Sequence, residues 1–405
     1  MHAIDDVSRK YLIAGLRLGQ DIEGFVDSYH GPADLPDIAA GVDPGRALNE
    51  LDSAIADVDD AFRHAYLESQ ARALRMAARV ASGERVGYRE QVRQSFDIEP
   101  EWTGEEVFQS AHDMLDRLLP GAGSLPERRA QYRKQFELQF ENILPISEPL
   151  LAELRRRTLE IVELPSGESV TLQLVTNQPW SGYNWYLGNM ASRIDINTDL
   201  PVRLNALPDL LAHEAYAGHH TEHSVKEALF LHERGYGEAA IALITTPQAV
   251  VSEGIATSTF DVLVPPDEQA HWLRTFVYEP AGWDVDIESD LAIQRVGQSL
   301  SAVSGNAALL MHDQGGSVDA VVEYISRYGL LSEAEARKSV QFLTHPLFRT
   351  YIYTYIAGKE LVRAYLQSQP DFRTGFRSLL TEHWTPSRLR GSALWRSSDD
   401  ERLPS

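Results

Sequence analysis

Between His213 and His223 the chain reads HEAYAGHHTEH, four imidazoles and two carboxylates within eleven residues. A buried core has no use for that composition, but a metal site has. Neutral imidazole is a common nitrogen ligand for zinc, and an adjacent carboxylate is placed to take a proton from activated water. Residues four apart share one face of a helix. The position four after His213 is Ala217, so the simple HExxH spacing is absent. His219, six positions on, is rotated about 120° from His213 in a straight helix. His220, seven positions on, is nearly in line with His213 but roughly 10 Å along the axis. Gly218 offers another route, because it permits local unwinding that swings His219 round. The spacing keeps both His219 and His220 as candidates for the second ligand beside His213. His219 and His223 form a further pair at i, i+4.

Glu214 directly follows one candidate ligand and is the candidate general base. Glu253 is the candidate third protein ligand. It sits among small and apolar residues in a predicted helix, where a carboxylate is costly to bury unless paired or metal-bound. Attack on an amide carbonyl builds negative charge on oxygen, which a phenol or imidazole stabilises. Tyr355 and Tyr351, four apart, lead the candidates for that role, followed by His345 and His312. Arg295 is a candidate for pairing with a substrate carboxylate, or with an acid of the chain itself. Asn184 and Tyr186 are candidate substrate contacts, and Asp195 a weaker cleft carboxylate. The predicted strand 192–197 offers an edge to which an extended peptide could add.

The segment from His213 to His220 resembles the HExxxGHH signature of a widespread bacterial family of unknown function, the DUF885 family, with Ala217 where that family commonly has proline. Glu253-Gly254-Ile255-Ala256 is similar to its Glu-Gly-Trp-Ala segment without the tryptophan. His345-Pro346-Leu347-Phe348, the tyrosines from 351 to 355 with Gly358, and Tyr29-His30-Gly31-Pro32 also resemble it. The family looks like a distant relative of helical zinc peptidases of the carboxypeptidase Taq and angiotensin-converting enzyme type. The resemblance implies a deep cleft between helical lobes. It also implies one zinc ion held by His213, by His219 or His220, and by Glu253, with Glu214 as base.

These residues need helices to hold them, and the sequence supplies helices in abundance. Residues 1–30, 47–82, 88–97, 104–119 and 126–160 read as helical, the last with a candidate break near Pro145 and Pro149, as do 208–232, 236–243, 247–261, 267–278, 284–311, 317–328, 332–343 and 349–368. Alternating polar and β-branched residues at 160–164 and 169–175 flank Pro165-Ser166-Gly167 and read as a hairpin; 192–197 reads as a strand. The expected fold is mainly α, zincin-like, with a central cleft and one small β-sheet before the metal-binding helix. Residues 1–405 are expected to form one compact body, with 1–160 as an N-terminal helical part and 161–405 as the catalytic part.

The chain has 405 residues, 43% hydrophobic, and no cysteine, which excludes disulfides, cysteine catalysis and thiolate-held metals. A formal charge of -22 repels nucleic acid and anionic membranes. No basic, apolar leader is evident at the start, and no apolar run is long enough to span a bilayer. The expectation is a cytoplasmic zinc-dependent peptidase acting on short peptides. The alternatives are a zinc hydrolase of non-peptide amides or esters, and a non-catalytic metal-binding protein.

Overall fold

The structure, a computed structural model, describes residues 4–178 and 180–400, with side chains described up to 393. Helices dominate, accompanied by five short strands. The first helix, Asp6–Asp21, begins at Asp5, whose carboxylate accepts the Ser8 N–H at 3.0 Å and so satisfies an orphan donor of the first turn. It does not run to residue 30. The chain turns through Gly24 (φ 76°) and enters β1 (Val26–Tyr29). The stretch 47–82 is broken at 56–60, giving helices Pro44–Ile55 and Ala61–Ala81, whereas Tyr88–Phe96 and Glu105–Leu118 follow the sequence pattern. The stretch 126–160 is interrupted, giving helices Leu125–Lys134 and Ile143–Thr158.

The predicted hairpin at 160–175 does not form, because 160–164 is not a strand. Instead β2 (Ser169–Val175), β3 (Gly182–Gly188) and β4 (Ala191–Asn197) form a sheet of order β2-β4-β3. β2 runs parallel to β4, Ser169 opposite Ala191 and Val175 opposite Asn197, whereas β3 runs antiparallel to it. β4 is therefore central and its backbone is paired on both sides. This corrects the expectation that 192–197 offers a free edge; β2 and β3 are the outer strands of this sheet. The expected helix 236–243 is also replaced, by a short turn of helix, Gly237–Ala240, leading into β5 (Ile241–Leu243). β5 pairs antiparallel with β1 in a second, two-stranded sheet.

The stretch 208–232 is broken as well. Helix Leu207–Glu214 stops, residues 215–218 leave the helical path, and helix His219–Lys226 begins afresh, continuing into a wider helical turn, Glu227–Arg234. Helix Pro247–Leu263 crosses helix Ile352–Ser368 at glycine-limited distance: a Cβ on Gly358 would lie 2.4 Å from the Val250 carbonyl oxygen, and one on Gly254 2.4 Å from that of Gly358. The largest apolar cluster lies beneath the three-stranded sheet, where Ile194 and Ile196 join Leu207, Leu211, Val251 and Ile255. Phe136 and Leu154 from before residue 160 belong to the same cluster. Among the described residues, no helix is long and apolar enough to cross a membrane.

Candidate metal centre

His213 lies in the last turn of its helix, and the break that follows brings His219 beside it. The Gly218 N–H donates to the Ala212 carbonyl at 3.0 Å. A Cβ at 218 would lie 1.9 Å from the His213 carbonyl oxygen, closer than any non-bonded carbon approaches, so the turn admits only glycine. The imidazoles of His213 and His219 then meet edge to face, centroids 4.8 Å apart. Helix Pro247–Leu263 delivers Glu253 between them, its Oε2 3.4 Å from His213 Nε2 and 3.8 Å from His219 Nε2. Glu253 Oε1 accepts the Tyr351 hydroxyl at 2.8 Å. Oε2 is buried and has no hydrogen-bond partner. Glu214 converges too: His213, Glu214 and His219 each offer a ligand atom within 4.8 Å of the others.

Behind His219 runs a polar chain. His219 Nδ1 is 3.1 Å from Ser252 Oγ, Ser252 Oγ donates to Glu222 Oε2 at 2.6 Å, and Lys226 Nζ donates to Glu222 Oε1 at 2.6 Å. Because the serine hydrogen goes to Glu222, Ser252 is placed to receive the Nδ1 hydrogen, an arrangement that in the neutral ring leaves Nε2 as the lone-pair atom facing Glu253. Metal-binding histidines are oriented in this way. Asn184 Nδ2 donates to the Glu214 carbonyl at 2.6 Å, holding the end of helix Leu207–Glu214 to β3.

Electrostatically the two glutamates differ. Burial raises the Glu214 pKa above the ordinary carboxylate range; the two imidazoles oppose this, and Glu253 adds to it. Burial also acts to raise Glu253, but His213, His219 and Tyr351 outweigh it and hold its carboxyl below that range. For His213, burial disfavours the charged form, yet Glu214 and Glu253 bring its pKa up to about 9. Half-buried His223 is pushed down to about 3, chiefly by desolvation, so its ring is neutral.

These groups line a cavity of about 140 Å³, room for a side-chain-sized group. Its walls include Tyr183 and Asn184 of β3, Asp27 of β1, Leu243 of β5, and Tyr351 and Tyr355. Tyr351 and Tyr355 meet edge to face at 5.6 Å.

Several expected site residues lie elsewhere. His220 is fully buried with both ring nitrogens committed, Nδ1 to Ser192 Oγ and Nε2 to Glu168 Oε2, each at 2.9 Å. It pins helix His219–Lys226 to the sheet and is no ligand at this centre. His345 is exposed at the end of helix Glu333–Thr344, where its Nδ1 accepts the Leu347 N–H. His312 points into packing, 2.7 Å from the Leu343 carbonyl and stacked on Tyr88. Exposed Arg295 contacts Gln269 at 3.2 Å, and neither it nor His345 nor His312 borders the cavity. Tyr186 lies one layer back, its hydroxyl on Glu227 and its ring stacked on His223. Asp195 is bound by Trp185 and Arg193 on the sheet.

Asp27, Tyr183, Ser252 and Glu222 were not singled out by the sequence. Only Glu222, inside the histidine run, carried a local signal; the others depend on long-range pairing.

No family model matches the chain, and no curated protein matches it. Two solved structures share its fold. One, from Colwellia psychrerythraea, is described as a "putative lipoprotein": TM-score 0.53, 16% identity, covering 87% of this chain and 66% of that one. The other, a protein of Shewanella oneidensis described in the same words and as of unknown function, has TM-score 0.53 and 14% identity, covering 95% of this chain and 73% of that one. The chain thus spans just under two thirds of the first. At such identities the likeness is one of fold. The cytoplasmic expectation is corrected by the descriptions of these two proteins, both lipoproteins by those words, and the description itself stays with them.

Proposed function

We propose that this protein is a zinc-dependent hydrolase of peptide bonds in short peptides. The observation that carries the reading is Glu253 Oε2, buried without a hydrogen-bond partner between the Nε2 atoms of two histidines. An ionised carboxylate in that position needs positive charge beside it, which a protonated His213 supplies in the metal-free protein and a metal ion would supply in its place; two imidazoles with one carboxylate are a donor set suited to zinc. His213, His219 and Glu253 would hold the ion. When bound, zinc supplies Lewis acidity that polarises a carbonyl and acidifies water. Glu214, buried beside the imidazoles with its proton affinity raised, takes the proton of the attacking water and delivers it to the leaving amine. Tyr351, which caps helix Ile352–Ser368, orients Glu253 through its hydroxyl, and Tyr355, in the first turn of that helix, is the donor for the developing oxyanion. β3 gives an extended substrate a strand to lie along.

The resemblance of residues 213–220 to the DUF885 signature, and through it to helical zinc peptidases, supports the same reading and a zincin-like arrangement. The test is direct. Purified protein stripped with a chelator and titrated with zinc is expected to take up one ion per chain and to gain cleavage of short peptides in proportion. Failure to bind zinc at micromolar concentration, or full occupancy with no hydrolysis across a peptide library, would overturn it.

A further inference from the structure

The described residues lining the cavity include three carboxylates, those of Asp27, Glu214 and Glu253, and no lysine or arginine. A site that trims from the carboxyl end must hold a free α-carboxylate, which calls for a guanidinium or ammonium in the wall. This wall has neither. Asp27 stands on β1, and the Tyr183 hydroxyl donates to its Oδ1; burial raises its proton affinity while that hydroxyl and His219 oppose the rise, so an incoming ammonium supplies the charge that keeps it ionised. Asn184, the next residue along β3, is nine-tenths buried. Its Nδ2 is committed to the Glu214 carbonyl, which fixes Oδ1 as an acceptor, and that oxygen has no partner. Trp180, Tyr183, Phe348, Tyr351 and Tyr355 add aromatic faces, which attract an ammonium group through their quadrupoles. Charge, an idle acceptor and aromatic walls all select a cation.

We infer that the site takes substrates bearing a free, protonated amino group, bound by Asp27 with Asn184 Oδ1 as a second acceptor, so that hydrolysis proceeds from the amino end of a short peptide. The inference rests on the hydrolase reading and names its substrate class. Substrate binding places the ammonium at Asp27 and the following carbonyl at the histidines. Water adds to that carbonyl, the C–N bond breaks, and the proton passes through Glu214 to the departing amine.

Two measurements separate this inference from the reading it rests on. In the first, zinc-loaded protein is given matched tripeptides with free ends, with the amine acetylated, and with the carboxyl amidated. Acetylation is expected to reduce kcat/KM at least roughly tenfold and amidation to leave it within about twofold. Efficient cleavage of the acetylated peptide, or loss on amidation, overturns the inference while leaving a peptidase. The second uses no turnover: calorimetry of leucinamide against its neutral twin, N-acetylleucinamide. Leucinamide is expected to bind at least roughly tenfold more tightly, and Asp27→Asn, which retains an acceptor for Tyr183, to remove that preference. An amine held only through the metal would keep its affinity in Asp27→Asn. That result, or equal binding of the two ligands to the native protein, overturns the assignment even where no peptide is cleaved.

Discussion

Glu214 and Glu253 are buried beside the same two imidazoles and are driven in opposite directions, Glu214 toward the neutral acid and Glu253 toward the anion. A carboxyl with raised proton affinity suits a proton carrier; one held ionised suits a cation ligand. Glu214→Gln is therefore expected to lower peptide turnover by about 10²- to 10⁴-fold with zinc stoichiometry unchanged. Parallel metal analysis and initial rates check this, and undiminished turnover removes Glu214 from the role. The neighbouring histidines give a sharper contrast. His219→Gln is expected to lose zinc. His220→Gln is expected to keep zinc and to lower stability by about 1–3 kcal/mol, because Ser192 and Glu168 lose a buried partner. Zinc retained by the first variant and lost by the second would reverse the assignment. Composition alone exposed His213, Glu214 and Glu253, since charged groups in apolar or histidine-rich surroundings need a chemical reason. It could not choose between His219 and His220, which differ only in backbone path. It missed Asp27, which lies on a four-residue strand whose partner is more than two hundred residues along the chain.

At the scale of elements, two glycine-dependent approaches assemble the centre. The break at 215–218 replaces the 120° offset of a straight helix with a direct meeting of His213 and His219, and it depends on Gly218 lying against the His213 carbonyl. Gly218→Ala is expected to weaken zinc binding by about 10- to 100-fold, as loss of ligand orientation does elsewhere, with helix content nearly unchanged by circular dichroism. Zinc affinity equal to the native protein would show that the turn has another way to close. The second approach is the crossing of helices Pro247–Leu263 and Ile352–Ser368 at Gly254 and Gly358, which sets Glu253 against Tyr351 and Tyr355. Gly358→Ala is expected to cost about 1–3 kcal/mol in thermal unfolding by overpacking. The long amphipathic helices were legible because their apolar period repeats over several turns. The sheet was less so. Alternation marked β2 and β4, but period alone does not say whether two strands pair parallel or as a hairpin, and a three-residue strand such as β5 has no period to read.

Across the whole molecule, a buried ion cluster joins segments from both ends of the chain. Arg63 donates from Nε to Glu238 Oε1 at 2.7 Å, pairs with Asp5 and lies over the Tyr236 ring, while His383 Nε2 stands 3.3 Å from Glu238. The cluster borders the apolar cluster in which Tyr11, Leu51 and Leu74 pack with Ile241 and Leu243, so it anchors the strand pair β1–β5 that carries Asp27. Desolvation acts to raise the Glu238 pKa, but His383 and Arg63 more than offset it and hold the carboxyl well below its ordinary range. A depressed carboxylate contributes stability that is fully present above the unfolded-state value, about 4.3, and is lost as pH falls toward the folded-state value. Glu238→Gln breaks a buried pair and is expected to cost about 3 kcal/mol at neutral pH. The gap between native and variant should hold constant from neutrality to about pH 5 and narrow below about pH 4, because the unfolded native chain then takes up a proton that the folded one refuses. The formal charge of -22 is shared by both proteins to within one unit, so general relief of self-repulsion by acid nearly cancels in the comparison. Urea unfolding of both proteins across that range checks the sign. A gap that stays constant into acid would mean Glu238 is not the ionised centre of the cluster, and the anchor beneath β1 would then have to be sought in the pairing of Arg63 with Asp5.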